Sequence, residues 1–387
     1  MFQRHGIIKD QKVLSFDYVP KELPHREEQL KKISLLLSPV LTSNYGQNVC
    51  LIGPTGTGKT VTAKRFCQNF IEEARKQDKN IHYEPINCRQ RQTNQQVLLK
   101  LLRHFDENFP DRGFSIPEML DILKRLLKKM HMIIVLDEAD ALIKKSGTDL
   151  IYSFTRFGEE NGGQNLSLIL ISQKNVIEFL DEPTMSSFKR SNIINFKKYN
   201  TEELYDIVKQ RVELACYSNV ISNENIELIA KISAINGDAR YAIEILGKAC
   251  LLAEAEVRDT VSAEHIRSAK GEIEPYVDMN ILNSLDLHKK LALLAIARKL
   301  ARLDRAYASM GEVENVYNII CEEVGEKPRA HTQFWKYINE LAAHDIILIK
   351  KSGGGTIGST TLISISDLPA LVLEKKLEEI LRGKNEG

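Results

Sequence analysis

The sequence lacks the features that identify membrane, secreted and low-complexity proteins. No apolar run approaches the roughly 18 residues of a membrane-spanning helix, and the first residues contain no apolar signal region. The 21 glycines and 11 prolines make up only 32 of the 387 residues, far below the share typical of disordered or fibrous chains. We therefore expect a folded protein that stays in the cytoplasm and does not associate with membranes.

Cysteines are few, and their arrangement fits neither a metal site nor a disulfide framework. None of the six occurs in a CxxC pair, and no histidines lie between them at the spacing of a zinc site. Reduced and mostly buried thiols are therefore expected. The six are Cys50, Cys67, Cys88, Cys216, Cys250 and Cys321.

A strong excess of either charge is also missing. The 53 lysines and arginines against 52 aspartates and glutamates leave a formal net charge of +1. Composition therefore gives no sign of a nucleic-acid partner, and any positive surface for DNA must be local. With 43% hydrophobic and 27% charged residues the chain is typical of globular proteins, and its length predicts two or three domains.

The first half of the sequence contains continuous apolar strands that alternate with helical patterns. Because strands without polar alternation are buried on both faces, this order predicts an α/β domain with a parallel sheet covered by helices. Residues 1–22 are predicted to form an extended arm with Phe16, Tyr18 and Val19 as apolar anchors. The predicted strands are 48–52, 81–88, 132–136 and 166–172, and the predicted helices are 25–37, 61–74, 93–105 and 115–130.

After Phe196 the pattern changes, and two further domains are predicted. Four helical segments indicate a small all-helical domain, and a break in periodicity over 271–283 indicates a linker. Three more helices, followed by two apolar strands around a glycine-rich turn, are typical of a winged helix. The helices are 201–216, 222–235, 238–256 and 262–270, then 284–302, 309–323, 331–343 and a last one at 368–382; the strands are 346–350 and 360–365, and the domains 1–197, 198–275 and 276–387.

Residues 53–60 fit the phosphate-binding pattern GxxxxGK[ST]. Glycines let such a loop turn its backbone N–H groups toward phosphate oxygens, and the following helix directs its positive N-terminus to the same place. Lys59 supplies a charge to the β- and γ-phosphates, and Thr60 supplies a hydroxyl to Mg²⁺. A preceding strand and a following helix argue against a merely flexible loop. We expect ATP and ADP to bind through Gly53, Pro54, Thr55, Gly56, Thr57, Gly58, Lys59 and Thr60.

The strand 132–136 ends in two carboxylates, Asp137 and Glu138. A carboxylate at such a strand end lies beside the metal of a phosphate loop, so Asp137 is predicted to hold Mg²⁺ together with Thr60. Glu138 is then placed to polarise the attacking water. Alone, the two carboxylates would indicate a strand cap or a solvated turn; after the phosphate loop, the catalytic interpretation is favoured.

The sequence Gly237-Asp238-Ala239-Arg240 opens a helix of the all-helical domain. An arginine in a first helical turn is usually a solvated charge. Here, however, the segment resembles the sensor-2 position of AAA+ ATPases. That resemblance implies that Arg240 reaches the γ-phosphate and couples a helical lid to the nucleotide.

Along nearly its whole length the chain resembles the archaeal origin-recognition initiators of the Orc/Cdc type. The phosphate loop is shared by many ATPases, whereas the ordered set of motifs is specific. The resemblance implies an AAA+ core, a helical lid and a C-terminal winged helix. Besides the two nucleotide motifs, the set comprises Tyr18-Val19-Pro20, Leu23-Pro24-His25-Arg26-Glu27, Ile86-Asn87-Cys88-Arg89, Arg112-Gly113, Gly237-Asp238-Ala239-Arg240 and Thr361-Leu362-Ile363.

The same resemblance implies roles that the residue pattern alone does not reveal. Val19, Pro20, His25 and Arg26 would form part of the adenine pocket. An insertion near 108–115, which contains Arg112, would be the initiator-specific element that touches DNA. The partners would be double-stranded origin DNA, the MCM helicase and paralogous initiator subunits.

Two departures from the family pattern concern hydrolysis. Where similar proteins carry the sensor-1 asparagine, this chain has Gln173, whose amide lies one methylene further out and so changes the placement of the hydrolytic water. In the arginine-finger region, 181–190, Ser186-Ser187 stands where many AAA+ proteins have Ser-Arg, and Arg190 is either a substitute or a solvated charge. We therefore expect intact ATP binding with weak or impaired hydrolysis.

In a winged helix the third helix usually enters the major groove, and the wing follows the backbone or the minor groove. The segment 330–343 places Phe334, Ile338 and Leu341 on its core side. Trp335 and Tyr337 are also expected to be packing residues. The predicted DNA contacts lie on the opposite face, just before the helix and at the wing: Arg329, Thr332, Gln333, Lys336, Lys350 and Lys351.

The charge of this last domain leaves a protein partner open. Residues 277–387 contain 15 lysines and arginines and 15 aspartates and glutamates, so the domain is not basic overall. A helix with few positive charges predicts modest DNA affinity and a shallow salt dependence. Some winged helices bind protein instead.

Three functions are compatible with these residues. The leading hypothesis is a nucleoid-associated replication initiator, or a repressor at origins, in which ATP is a switch and slow hydrolysis a timer. The second is a signal-transducing P-loop switch whose winged helix binds protein; His25-Arg26-Glu27 is similar to a motif of that class, which typically lacks the Arg240 motif. The third, a clamp-loader subunit, is weakened by Ser186-Ser187 and by the wing.

Overall fold

The chain forms two compact units. The core unit is Asp17–Tyr199, and the C-terminal unit combines Met1–Phe16 with Asn200–Gly387. The computed structural model describes residues 6–43, 45–157, 165–174, 192–274, 279–303, 305–344, 346–351, 360–365 and 368–382.

The core unit contains a five-stranded parallel sheet with strand order β2-β3-β4-β1-β5. The predicted parallel sheet is therefore confirmed, and each of the four predicted strands agrees with the structure to within a residue at either end. The fifth strand was missed because three residues are too few to show a periodic pattern. The strands are β1 (Asn48–Ile52), β2 (Ile81–Asn87), β3 (His131–Asp137), β4 (Leu166–Ser172) and β5 (Ile193–Asn195).

Helices cover both faces of this sheet. In β3, Ile133 and Val135 join a buried cluster with helices α1 and α2, whereas Ile134 and Leu136 join a second cluster with α3 and α4. Successive side chains of a strand point to opposite faces, so a continuous apolar strand needs exactly this double cover. The helices are α1 (Glu27–Ser43), α2 (Lys59–Lys76), α3 (Asn94–Arg103), α4 (Ile116–Leu126), α5 (Ala139–Ser146) and α6 (Asp149–Thr155), with a 3₁₀ turn at Leu127–Lys129.

In the C-terminal unit, the part of the chain from Asn200 onward begins with the predicted helical lid. Side-chain caps start each of its first four helices, for example Asn200, whose side chain accepts from the backbone N–H of Glu203 at 2.9 Å. The predicted linker over 271–283 partly overlaps helical structure, and residues 275–278 lie outside the described part. The lid helices are α7 (Thr201–Ala215), α8 (Asn223–Ala234), α9 (Ala239–Ala255) and α10 (Ala263–Ile273). The short helix α11 (Met279–Ser284) follows, and its Leu282 packs in the core of the winged helix.

The N-terminal arm packs in this C-terminal unit. Ile8 forms an antiparallel bridge with Cys216, and a 3₁₀ turn follows at Gln11–Leu14. Ile7 and Val13 are the buried anchors. The prediction that Phe16 anchors the arm was wrong, since its side chain is 56% exposed at the last position before the chain enters the core unit.

A winged helix follows, as predicted. Its sheet has the order β6-β8-β7, and both pairings are antiparallel. The glycine-rich turn at 352–356 lies outside the described residues. The elements are α12 (Leu287–Arg302), β6 (Ala308–Ser309), α13 (Met310–Glu323), α14 (His331–Ala343), β7 (Ile347–Lys351), β8 (Thr361–Ile365) and α15 (Ala370–Arg382).

Within the C-terminal unit, one arginine connects the lid to the winged helix. Arg267 of α10 is completely buried. Its guanidinium donates to the carbonyl oxygen of Ala306 at 3.0 Å and to that of Ile365 at 3.2 Å, and its charge pairs with Glu264 at 2.6 Å. The three predicted domain boundaries stay predictions.

Candidate nucleotide site and DNA-facing helix

The predicted phosphate loop lies between β1 and α2, as its pattern requires. Gly58 forms the N-terminal cap of α2 with φ of +88°, a conformation that favours glycine. The side chain of Lys59 is buried, and its ammonium donates to the carbonyl oxygens of Gly53 and Pro54, each at 2.6 Å. The lysine charge is thus fixed across the loop by the loop's own backbone.

The two residues predicted to hold Mg²⁺ meet in the structure. The hydroxyl of Thr60 donates to Oδ2 of Asp137 at 2.9 Å, across 77 residues of sequence. Both groups present hard oxygen atoms, which are the ligands that Mg²⁺ prefers. Adjacent ligands of an octahedral Mg²⁺ at 2.0–2.1 Å lie about 2.9 Å apart, so the observed spacing fits the ion.

Glu138 follows directly and has an unusual backbone. Its φ is +55°, which is rare for a residue with a side chain and is often found at functional sites. Its carboxylate accepts from Nε of Arg89 at 2.9 Å. The family resemblance assigns no role to Arg89, whereas the structure makes it the partner of the predicted general base.

Gln173 comes immediately after β4, at the same edge of the sheet. Ser172, the last residue of that strand, pairs with Ile52 at the end of β1, and its carbonyl accepts from the backbone N–H of Gly53 at 3.3 Å. Gln173 therefore follows the strand that borders the phosphate loop, and its side chain is exposed. The predicted arginine-finger region, 181–190 with Arg190, lies outside the described residues.

The segment that the resemblance assigns to the adenine is fixed to α2. Arg65 donates to the carbonyl oxygen of Pro20 at 2.8 Å and to that of Val19 at 3.0 Å. His25 has φ of +61°, and the guanidinium of Arg26 is buried and donates to the carbonyl oxygen of Thr57 at 2.9 Å. Contact with adenine stays a prediction, and Arg65 is a positioning residue that the motifs did not reveal.

Arg240 belongs to the C-terminal unit. It is exposed in the first turn of α9, after Gly237, whose φ is +63°. The side chain of Asp238 caps this turn by accepting from the backbone N–H of Arg240 at 2.7 Å. The predicted helix start is therefore confirmed, and the sensor-2 role of Arg240 stays a prediction.

The predicted DNA-facing helix is α14. Phe334, Ile338 and Leu341 are buried, as expected, while Thr332 and Lys336 are exposed and Gln333 is half-buried. Arg329, just before the helix, is also exposed.

Trp335 does not belong to the core of this domain. Its side chain is 51% exposed, because one step along an α-helix turns a side chain about 100° away from the buried Phe334. Tyr337 is half-buried, and its ring is stacked with that of His288, with the ring centroids 6.2 Å apart. The prediction of packing was therefore wrong for Trp335, which adds a large aromatic surface to the exposed face of α14.

The two lysines at the base of the wing differ. Lys351 is exposed. Lys350 is half-buried, and its ammonium nitrogen lies 4.0 Å from the centroid of the Tyr307 ring. The same ammonium forms an ion pair with Glu227 of the lid at 2.5 Å. Desolvation acts to raise the pKa of Glu227, but the hydrogen bond and charge of Lys350 hold it below its ordinary value.

The predicted initiator-specific element connects α3 to α4. Arg103 organises it by donating to the carbonyl oxygen of Phe109 at 3.1 Å and to Asp111 at 2.8 Å. Phe109 and Phe114 pack with their ring centroids 5.1 Å apart. Arg112 is exposed in this loop, and its contact with DNA stays a prediction.

All six cysteines are buried and free, as predicted. Among the described residues, no three histidine, cysteine, aspartate or glutamate side chains form a metal-binding group, and no helix is both long and apolar enough to cross a bilayer.

Three known protein families match consecutive parts of the chain. The family described as an AAA domain matches residues 43–180. A Cdc6 AAA+ ATPase-type lid domain matches 205–271, and a CDC6 C-terminal winged helix domain matches 280–375. Their order agrees with the core, lid and winged helix seen in the structure.

Individual relatives match nearly the whole chain. ORC1-type DNA replication protein 1 of Sulfurisphaera tokodaii is 36% identical over 94% of this chain and 91% of that protein. The ORC1-type DNA replication protein of Thermococcus kodakarensis is 34% identical over 95% of this chain and 90% of its own length.

Two solved structures extend the comparison to the fold. Cdc6p from Pyrobaculum aerophilum has a TM-score of 0.88 at 29% identity and covers 98% of this chain and 100% of that one. The Aeropyrum pernix ORC1 protein, solved in complex with DNA, has a TM-score of 0.65 at 31% identity over 96% of this chain and 97% of its own. The chain therefore belongs to the ORC1/Cdc6-type family of DNA replication initiators, AAA+ ATPases with a Cdc6-type lid and a C-terminal winged helix.

Proposed function

We propose that this protein is an ATP-switched replication initiator that binds duplex origin DNA through its winged helix and hydrolyses ATP slowly. The observation that carries the proposal is the continuous match to ORC1-type replication proteins, which includes both the nucleotide-binding unit and the winged helix. One of the similar structures was solved with DNA.

The nucleotide chemistry is assigned to residues of the core unit. The backbone of residues 53–58 cradles the phosphates of ATP or ADP, and Lys59 compensates their charge. Thr60 and Asp137, already 2.9 Å apart, hold Mg²⁺, which would neutralise charge on the β- and γ-phosphates. Glu138 takes the proton of the attacking water.

Slow turnover is supported by the surroundings of that base. Arg89 pairs with the carboxylate of Glu138, and this contact must be exchanged for a water before Glu138 can act. Gln173 replaces the family's asparagine at the end of β4, which moves the amide away from the usual position. ATP therefore serves as a state marker, and its hydrolysis as a timer. Arg240 of the lid reaches the γ-phosphate and so couples the lid to the nucleotide.

The DNA contacts are assigned to exposed positions of α14 and its flanks, with the 108–115 element as a second contact. Such winged helices read base edges from a helix in the major groove and fix their register through phosphates. Lys336 and Lys351 supply positive charge, and Thr332 and Gln333 supply hydrogen-bonding groups. Recruitment of the MCM helicase and cooperation with paralogous initiators complete the proposal on the strength of the family resemblance.

A second function is favoured by one observation. The winged helix has as many acidic as basic residues, and Trp335 and Ile349 are exposed large apolar side chains near its predicted DNA face. Exposed aromatic residues are enriched in protein interfaces, so a protein-binding winged helix is the alternative.

The test is binding of the full-length protein to a library of genomic duplex fragments, with ATP and with ADP, over a series of salt concentrations. Selective retention of a few fragments, weakened as salt rises, is expected for an initiator. Uniform weak binding, or none in either nucleotide state, would contradict the DNA assignment and favour the protein-binding alternative.

A further inference from the structure

A buried arginine, Arg26, lies beside the phosphate loop. The side chain of Arg26 is only 4% exposed, although an arginine is costly to bury without partners. Its donors reach the carbonyl oxygens of Thr57 at 2.9 Å and Lys197 at 3.3 Å. Its guanidinium carbon lies 3.8 Å from the centroid of the Tyr199 ring, within the range of a cation–π contact.

Arg26 thus joins two segments that are far apart in sequence. Thr57 lies in the phosphate loop, whereas Lys197 and Tyr199 belong to 196–199, which we call the exit segment. This segment is the last part of the core unit, since Asn200 opens the C-terminal unit as the cap of α7. The exit segment is therefore the covalent connection from the nucleotide-binding unit to the lid.

The exit segment also contacts both ends of the phosphate loop directly. A Cβ atom placed on Gly53 would lie 2.2 Å from the carbonyl oxygen of Phe196, and one on Gly58 would lie 2.6 Å from the hydroxyl of Tyr199. At Gly53 the obstacle is backbone, so this position requires glycine for a reason beyond phosphate binding, namely the closeness of the exit segment. At Gly58 an added side chain would have to displace the hydroxyl of Tyr199.

The exit segment is also tied to the strand before the loop, because the backbone N–H of Phe196 donates to the carbonyl oxygen of Ile52 at 2.7 Å. Closely packed groups of this kind transmit small displacements, since contacts at van der Waals distance leave no space to absorb them. A shift of the loop at Thr57 or Gly58 would therefore act on the Arg26 and Tyr199 side chains.

We propose that Arg26 and Tyr199 are positioning residues that transmit the nucleotide-dependent conformation of the phosphate loop to the exit segment and so to the start of α7. The proposal deepens the ATP switch and rests on the proposed function. It assigns no contact with nucleotide to Tyr199. The pair acts through the backbone of the loop, and its loss uncouples the lid from the nucleotide more than it weakens nucleotide binding.

The test uses the full-length protein and three substitutions. Tyr199→Leu removes the ring and the hydroxyl, Tyr199→Phe removes the hydroxyl alone, and Arg26→Lys keeps the charge but cannot span both carbonyls. The matched control is Tyr152→Leu, because Tyr152 also carries an arginine, Arg156, over its ring at 5.2 Å but belongs to α6.

Two quantities are measured with ATP and with ADP. One is the amide hydrogen exchange of residues 197–207, and the other is the affinity for each nucleotide. In the wild type we expect the exchange of this segment to differ between nucleotides by at least about fivefold, the low end of typical coupling between sites. Tyr199→Leu and Arg26→Lys should bring this ratio close to one, and Tyr199→Phe should have an intermediate ratio. The nucleotide affinities should fall much less than the ratio in Tyr199→Leu, since Tyr199 is assigned no contact with nucleotide.

A ratio that stays at the wild-type value in both Tyr199→Leu and Arg26→Lys would overturn the proposal, as would an equal loss in Tyr152→Leu. If Tyr199→Leu fails to fold, Arg26→Lys and Tyr199→Phe decide by the same criterion. The result is separable from the proposed function. Duplex binding that is equal with ATP and ADP in the wild type contradicts the DNA switch, whereas the exchange ratio tests the exit segment alone.

Discussion

The positive charges of the two units are held in opposite ways. In the core unit, Lys59 and Arg26 are buried and donate to backbone carbonyl oxygens, so the protein's own backbone fixes their positions. In the winged helix, Lys336 is 65% exposed, and its ion pair with Glu340 spans 3.9 Å in solvent. The charges of the predicted nucleotide site are therefore held by the protein interior, whereas those of the predicted DNA-facing surface lie in solvent, where salt can screen them.

The largest effect is expected at the buried lysine. Lys59→Ala removes a fixed charge that is predicted to meet two phosphates, so ATP affinity should fall by at least about 100-fold. Fluorescent nucleotide titration measures this. Lys64→Ala, on the same helix but half-buried and paired with Asp17, is the control and should leave the affinity unchanged. Normal ATP binding by the Lys59 variant would refute the assignment of the phosphate loop.

Replacing the predicted general base should slow ATP hydrolysis without weakening ATP binding. Glu138→Gln keeps the size of the side chain but cannot accept a proton, so steady-state ATP hydrolysis should fall by about 100-fold or more while ATP stays bound. Phosphate release and nucleotide affinity are measured on the same preparation, with the exposed Glu73→Gln as the control. Unchanged turnover would remove Glu138 from the role of base.

Arg89→Ala should raise turnover by freeing the Glu138 carboxylate.

A buried histidine makes the core unit sensitive to acid. His131, which begins β3, is 1% exposed, and burial lowers its pKa to about 4. An unfolded histidine has a pKa of about 6.5, so the unfolded chain binds the extra proton first, and stability is complete above that pH. As the pH falls from about 6.5 to about 4, the core unit should lose up to about 3 kcal/mol of unfolding free energy.

This loss is measured by hydrogen exchange of the β3 amides at pH 7 and pH 5, corrected for intrinsic rates. His131→Asn should reduce the pH dependence, and the exposed His331→Asn of the C-terminal unit should not change it. Equal pH dependence in all three proteins would show that another group causes the acid sensitivity.

The DNA-facing surface should respond more weakly and in a salt-dependent manner. Lys336→Ala together with Lys351→Ala should reduce duplex affinity about tenfold at low salt and lower the slope of log affinity against log salt by about 0.9 per lost phosphate contact. Fluorescence anisotropy over a salt series measures both quantities. Lys375→Ala, an exposed lysine of α15, is the control. No change in affinity or slope would favour a winged helix that binds protein.

The smallest change in DNA binding is expected at Lys350, which differs in its contacts from the neighbouring Lys351. The ammonium of Lys350 is held by Glu227 and by the ring of Tyr307. Lys350→Ala should therefore change the slope of log affinity against log salt less than Lys351→Ala does. It should instead lower the unfolding midpoint of the C-terminal unit, and Glu227→Gln should have a similar effect. Trp335 is the only tryptophan of the chain, so its fluorescence reports this unit selectively. A larger slope change for Lys350→Ala would return it to the main DNA-contact set.

The sequence predicted those features whose information is local. The phosphate loop, the strand ending in Asp137 and the three-helix order of the winged helix all follow from spacing within a few residues. The contacts that sequence reasoning missed join distant segments: Arg26 and Thr57 are 31 residues apart, and Lys350 and Glu227 are 123 apart. The error at Trp335 had another cause, since the general tendency of tryptophan to pack was followed instead of the helical period.

The completely buried Arg267 has a consequence for how the C-terminal half can be divided. If the winged helix were cut away from α10, the guanidinium of Arg267 would lose the carbonyl oxygens of Ala306 and Ile365 as acceptors and would become exposed to water. Removing one partner of such a buried network costs far more than a surface contact does. Lid and winged helix should therefore melt as one cooperative body, and a winged helix exchanged between family members would have to bring its own α10 with it.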